Sequence, residues 1–91
     1  GVPKMIRCEA VFSGRVQGVG FRYTAQDYAQ SLGLVGWIKN LPDRTVRMVV
    51  EGEESSIQDL IQYLEVNFII KEKCVERSKA LGGFTEFDIT Y

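Results

Sequence analysis

The sequence predicts an α+β domain: one antiparallel sheet with two helices on one face and an extra strand at the C-terminal edge. Three observations carry that prediction. Two stretches repeat apolar residues at three- and four-residue spacing, as a helix with one buried stripe does. Several others alternate apolar and polar residues, as half-buried strands do. With 91 residues and no repeat, low-complexity segment or linker, the chain has room for one core, so 1–91 reads as a single domain.

In chain order, the first strand runs from Ile6 to Phe12, with Ile6, Cys8, Ala10 and Phe12 on one face and Arg7, Glu9 and Val11 on the other. The four residues ahead of Met5, Gly1-Val2-Pro3-Lys4, read as a leader appended before the natural start and are set outside the fold. After a glycine-rich stretch, Phe21, Ala25, Tyr28, Ala29 and Leu32 form the stripe of a first helix, which Gly33 stops. Val35 to Asn40 reads as a second strand, Leu41-Pro42-Asp43-Arg44 as a turn, and Thr45 to Glu51 as a third strand with Val46, Met48 and Val50 inward. These two strands make a hairpin. Ser55 or Ser56 can cap a second helix whose stripe is Ile57, Leu60, Ile61, Leu64 and Phe68. Residues 72–80 make a weak fourth strand, Gly82-Gly83 a turn, and Phe84 to Tyr91 a final edge strand with Phe87, Ile89 and Tyr91 in phase. This order is the split βαββαβ sandwich of ferredoxin-like folds plus one strand. Such folds host unrelated activities, so function has to come from a site.

Composition narrows the possibilities. Apolar residues at 45% and charged residues at 25% describe a soluble globular chain. Eleven Lys and Arg against twelve Asp and Glu leave a net charge of −1. No broad basic field exists for nucleic acid or an anionic membrane, so an anion site must be local. No apolar run has the length of a membrane span and no signal-peptide pattern occurs, which makes the cytoplasm the expected location. The chain has no histidine, which removes Ser-His and Cys-His nucleophile pairs, histidine-held metals and the commonest general base. Cys8 and Cys74 read as buried free thiols, with a disulfide or, more remotely, zinc as alternatives. Tyr28, Trp37 and the phenylalanines read as core, and Glu51, Glu53 and Glu54 as a solvated rim.

Residues 14–22, Gly-Arg-Val-Gln-Gly-Val-Gly-Phe-Arg, join the first strand to the first helix. Glycines at 14, 18 and 20 let backbone amides converge on a ligand, and the loop runs into a helix N-terminus, where free N–H groups favour negative charge. A cation gains nothing from that position, so Arg22 in the first turn suggests a bidentate phosphate contact. The bland alternative is a tight turn with a solvated arginine. No Gly-Lys-Ser/Thr follows as in a nucleotide P-loop, and the third glycine of a dinucleotide fingerprint is missing.

Ser13 to Arg22, followed by Leu32-Gly33-Leu34-Val35-Gly36-Trp37-Ile38-Lys39-Asn40-Leu41-Pro42-Asp43, resembles the acylphosphatase family, and Phe87 to Tyr91 resembles its last strand. The similarity runs over residues 6–91. It implies a small enzyme that hydrolyses the carboxyl–phosphate anhydride of acyl phosphates, without metal or cofactor. A small acyl phosphate would be its substrate and inorganic phosphate its product, with no nucleic-acid or membrane partner, in a monomer. By the same resemblance Arg22 binds the phosphate, Asn40 positions the attacking water, and the amides of Arg15, Val16, Gln17, Gly18, Val19 and Gly20 cradle the phosphate oxygens. Taken alone, Asn40 reads as an ordinary strand-ending asparagine, and Arg15 as either a second anion contact or an outward arginine.

The chain departs from the family pattern in three places. Arg44 stands where glycine is usual, Thr45 where a charged residue is commoner, and Asn67-Phe68-Ile69-Ile70 replaces a Gly-Pro-rich segment, which leaves the fourth strand's register open. Two rival readings exist. An RNA-binding module of the same fold would need paired aromatics on the third strand, and Val46-Arg47-Met48-Val49-Val50 has none. The other rival is an acylphosphatase-like domain of a larger carbamoyl-transfer protein.

Overall fold

Strand β1 spans Met5–Arg15, α1 Phe21–Ser31, β2 Val35–Asn40, β3 Val46–Glu53, α2 Glu54–Asn67, β4 Ile69–Lys79 and β5 Phe87–Ile89 in the computed structural model, which describes residues 4–91. Gly1, Val2 and Pro3, most of the expected leader, lie outside the described residues. The strands form one sheet in the order β4-β1-β3-β2-β5. Its register sets Phe12 opposite Val46 and Val46 opposite Asn40. The alternation places Cys8, Ala10, Phe12, Val46, Met48, Val50 and Ile38 on the face that the helices cover, where all are fully buried. Helix α1 adds Phe21, Ala25 and Ala29, and α2 adds Ile57, Leu60, Ile61 and Leu64, the stripes expected from their spacing. Burial of each larger side chain contributes about 1.5–3 kcal/mol.

The helix ends differ in detail from expectation. Neither serine caps α2. The helix begins at Glu54, whose N–H donates to the Lys4 carbonyl at 2.9 Å, so backbone fills the role of the cap. Phe68 falls just past the helix, yet its ring still meets Phe21 edge-on, with centroids 5.0 Å apart. Strand β4 starts at Ile69 rather than 72 because pairing with β1 continues, through a bulge at Ser13 and Gly14, to Arg15 opposite Ile69.

The last strand differs most from the expected arrangement. β5 lies parallel to β2 on the edge far from β4, so the sheet is mixed rather than wholly antiparallel. Residues 80–86 cross the end of the sheet instead of reversing at Gly82-Gly83, and only Phe87–Ile89 pair as a strand. Glu51 organises the crossing. Its carboxylate accepts the N–H groups of Leu81 at 3.0 Å and Gly82 at 2.9 Å and pairs with the Arg7 guanidinium at 2.9 Å. Arg7 in turn lies over the Phe84 ring, 5.6 Å from its centroid. At 4% exposure Glu51 is no solvated rim residue. Burial alone would raise its pKa, but the two N–H donors and Arg7 outweigh burial and hold it below the ordinary carboxyl value.

The sheet also settles the cysteines. Cys8 faces the helices, whereas Cys74 sits opposite Val11 on the uncovered face and is exposed. The two thiols point to opposite sides of the sheet and are not bridged. Burial pushes the Cys8 thiol up in pKa, which keeps it unreactive. Trp37 is likewise on the uncovered face, half-buried beneath the Arg47 guanidinium 5.7 Å from its ring centroid, and not in the core.

Candidate active site

The loop from Val16 to Gly20 is held at one end by the Val16 side chain, which is buried in the core, while Gly18, Val19 and Gly20 are exposed. Gly18 and Gly20 take φ of 73° and 79°, and a Cβ at either would meet nothing within 4 Å. Glycine is therefore required by the left-handed backbone and not by crowding, and the space before the loop is open. Gly20 is the N-cap of α1 without any side-chain cap, and no acidic residue occupies the first turn. The first helical bond runs from the Thr24 N–H to the Gly20 carbonyl at 3.0 Å. The N–H groups of Phe21, Arg22 and Tyr23 have no partner within the helix, so its positive end can accept an anion.

Arg22 is half-buried in that first turn, with its guanidinium 5.2 Å from the centroid of the Tyr91 ring. Stacking restrains the side chain without neutralising it. Among the described residues, neither Arg22 nor Arg15 takes part in an ion pair. Arg15 is the last residue of β1, exposed at the rim of the loop rather than within it.

Asn40 ends β2 on the same face as Ile38, the side of the sheet where α1 lies. Its Oδ1 is buried and accepts no hydrogen bond from the described residues. A buried acceptor left orphaned costs about 1–3 kcal/mol, so this one is suited to a water, which brings its own proton.

One side chain ties the two halves together. Gln17 Nε2 donates to the carbonyl oxygens of Leu41 and Thr45, each at 2.9 Å. Leu41 N–H and Thr45 O close the turn at 2.8 Å, and Arg44 N–H reaches the Leu41 carbonyl at 3.2 Å. The Asp43 carboxylate accepts the Thr45 hydroxyl at 2.6 Å and the Thr45 N–H at 3.0 Å, contacts that lower its pKa. This gives Thr45 a role inside the turn. Arg44 does take positive φ, at 74°. Sequence reading credits Gln17 with a backbone amide alone. The available signal was a two-donor side chain between Val16 and Gly18, in a loop otherwise poor in hydrogen-bonding side chains.

The acylphosphatase family model matches residues 8–89. An acylphosphatase of Acaryochloris marina is 43% identical over 90 residues, covering 97% of each chain. The crystal structure of an acylphosphatase from Bacillus subtilis superposes with a TM-score of 0.88 at 34% identity, over 94% of this chain and 99% of the other. Full-length HypF, solved in a phosphate- and nucleotide-bound form, is similar at TM-score 0.85 and 28% identity, over 100% of this chain but only 12% of HypF. With a family model spanning the sheet and both helices, and a relative matched along nearly its whole length, this chain belongs to the acylphosphatase family.

Proposed function

We propose that the chain hydrolyses the carboxyl–phosphate bond of acyl phosphates, releasing a carboxylate and inorganic phosphate. The observation that carries this reading is an uncapped helix N-terminus with Arg22 beside it, tied through one side chain to a strand end with a buried, unpaired amide oxygen. Backbone amides of residues 15–20 and the Arg22 guanidinium take the phosphate oxygens. Asn40 Oδ1 accepts a hydrogen bond from a water and turns its lone pair toward phosphorus. The bond from water oxygen to phosphorus forms as the bond to the carboxylate oxygen breaks, and the carboxylate leaves with the electron pair. The water's proton passes to a phosphate oxygen.

Positioning and charge stabilisation suffice for such a step, because its transition state is loose and its leaving group weakly basic. No general acid is needed, which suits a chain without histidine and a loop without carboxylates. On this reading the reaction is metal-independent and cytoplasmic, and every group it uses comes from one chain. A monomer is also favoured by the exposed edge β4. Lys73, Arg77 and Lys79 share one face of that strand and Glu72 and Glu76 the other, so antiparallel self-pairing about a two-fold axis sets like charges opposite one another.

The test is phosphate release from benzoyl phosphate in the presence of EDTA, with p-nitrophenyl phosphate in parallel. Rapid turnover of the first and little of the second is expected; no turnover of benzoyl phosphate above the spontaneous rate would overturn the proposal.

A further inference from the structure

We infer that Gln17 is a positioning residue: its side-chain amide locks the hairpin carrying Asn40 onto the phosphate loop and so sets the distance between the bound phosphorus and the attacking water. The inference rests on the function proposed above. Both Nε2 protons are committed, one to the Leu41 carbonyl and one to the Thr45 carbonyl, at 2.9 Å each. Leu41 follows Asn40 in the chain, and Thr45 precedes Val46, the residue opposite Asn40 across the hairpin. The clamp therefore grips both strands one residue from the water-binding group. The turn it closes needs an outside support, because Arg44 sits there at φ 74° without being glycine. Gln17 itself lies between Val16, which is buried in the core, and Gly18, where the loop enters its left-handed bend. Through Gln17, the element that holds phosphate and the element that holds water share one rigid connection. A displacement of about 1 Å in such a site can lower a rate by about 100-fold.

Gln17→Met separates this role from simple packing. It keeps the length and bulk of the side chain but removes both donors. The two carbonyls keep other partners, the Arg44 N–H on Leu41 and the Leu41 N–H on Thr45, so no buried acceptor is left without a donor and the variant is expected to fold. Gln17→Leu, one bond shorter but likewise neutral and without the donors, is the second variant and is read in the same way if the first does not fold.

Benzoyl phosphate kinetics and competitive inhibition by inorganic phosphate are measured for the wild-type chain, Gln17→Met, Asn40→Ala and the double variant. In the wild-type background Gln17→Met is expected to lower kcat by about 10-fold or more, while inhibition by phosphate changes by less than about threefold. In the Asn40→Ala background the same substitution is expected to change kcat by less than about twofold, since nothing remains for Gln17 to position. An unchanged kcat in the first background, or the same loss in both, overturns the inference while leaving the proposed activity intact. A wild-type chain that does not hydrolyse benzoyl phosphate overturns the activity and the inference together.

Discussion

Replacing Asn40 with alanine should cost activity and leave stability nearly unchanged. In the folded chain Oδ1 of Asn40 is buried and accepts no hydrogen bond from the described residues, so on the proposed mechanism its partner is a water. Alanine removes the acceptor together with its need for that water, and the residue stands half-exposed at the end of a strand, so little packing is lost. The net expectation is a stability change within about 0.5 kcal/mol, which moves Tm by less than about 4 °C in a domain of this size. The same substitution removes the only group assigned to the water. By analogy with removing one positioned hydrogen-bonding group, kcat should fall about 100-fold, or about 2.7 kcal/mol in the barrier. Thermal unfolding followed by circular dichroism gives the first quantity and benzoyl phosphate kinetics the second. A loss of stability together with a loss of activity would make Asn40 a structural residue; an unchanged kcat would remove it from the chemistry.

Arg22→Ala should weaken competitive inhibition by inorganic phosphate by about 10-fold or more, the effect of removing a charge-assisted contact; unchanged inhibition would mean that the guanidinium does not touch phosphate. Arg44→Gly should stabilise the chain by about 1 kcal/mol in urea unfolding, because φ 74° is strained for arginine, and a destabilised variant would contradict that strain. Glu51→Gln should destabilise by about 2–3 kcal/mol, since the carboxylate receives two backbone N–H groups and Arg7 at the end of the sheet. The folded-state pKa of Glu51 lies below its unfolded value, so its stabilisation is present above the ordinary carboxyl range, about pH 4.3, and fades as pH falls through the folded pKa. The gap between wild type and Glu51→Gln should therefore narrow in acid; a gap independent of pH would refute the assignment.

What the sequence makes legible is what local periodicity encodes. β1 and the two helices alternate or repeat because one side of each meets the core, and their buried residues are those the spacing marks. β4 gives a weak signal for a physical reason. It is an edge strand lying mostly outside the helices, and only Ile70 and Val75 along its length are even half-buried. The parallel docking of β5 is decided by a crossing from one edge of the sheet to the other, which no local pattern announces. Glu51 has the same side chain as Glu53 and Glu54, and only the arrival of Leu81 and Gly82 above it makes it a buried clip. In the site, the glycine loop and Arg22 stand out from spacing and charge, whereas Asn40 is indistinguishable from a turn asparagine without the family resemblance. The Gln17 side chain stayed hidden because its partners are backbone carbonyls 24 and 28 residues away.

In the proposed mechanism the loop and Arg22 fix the phosphate while Asn40 aims water at phosphorus. Hydrolysis of benzoyl phosphate in water enriched in the heavy oxygen isotope, with both products analysed by mass spectrometry, tests this most directly. Attack at phosphorus puts the heavy oxygen in the inorganic phosphate and none in the benzoate. Heavy oxygen in the benzoate would mean that water attacks the carbonyl carbon, and it would contradict the roles given to Arg22 and Asn40.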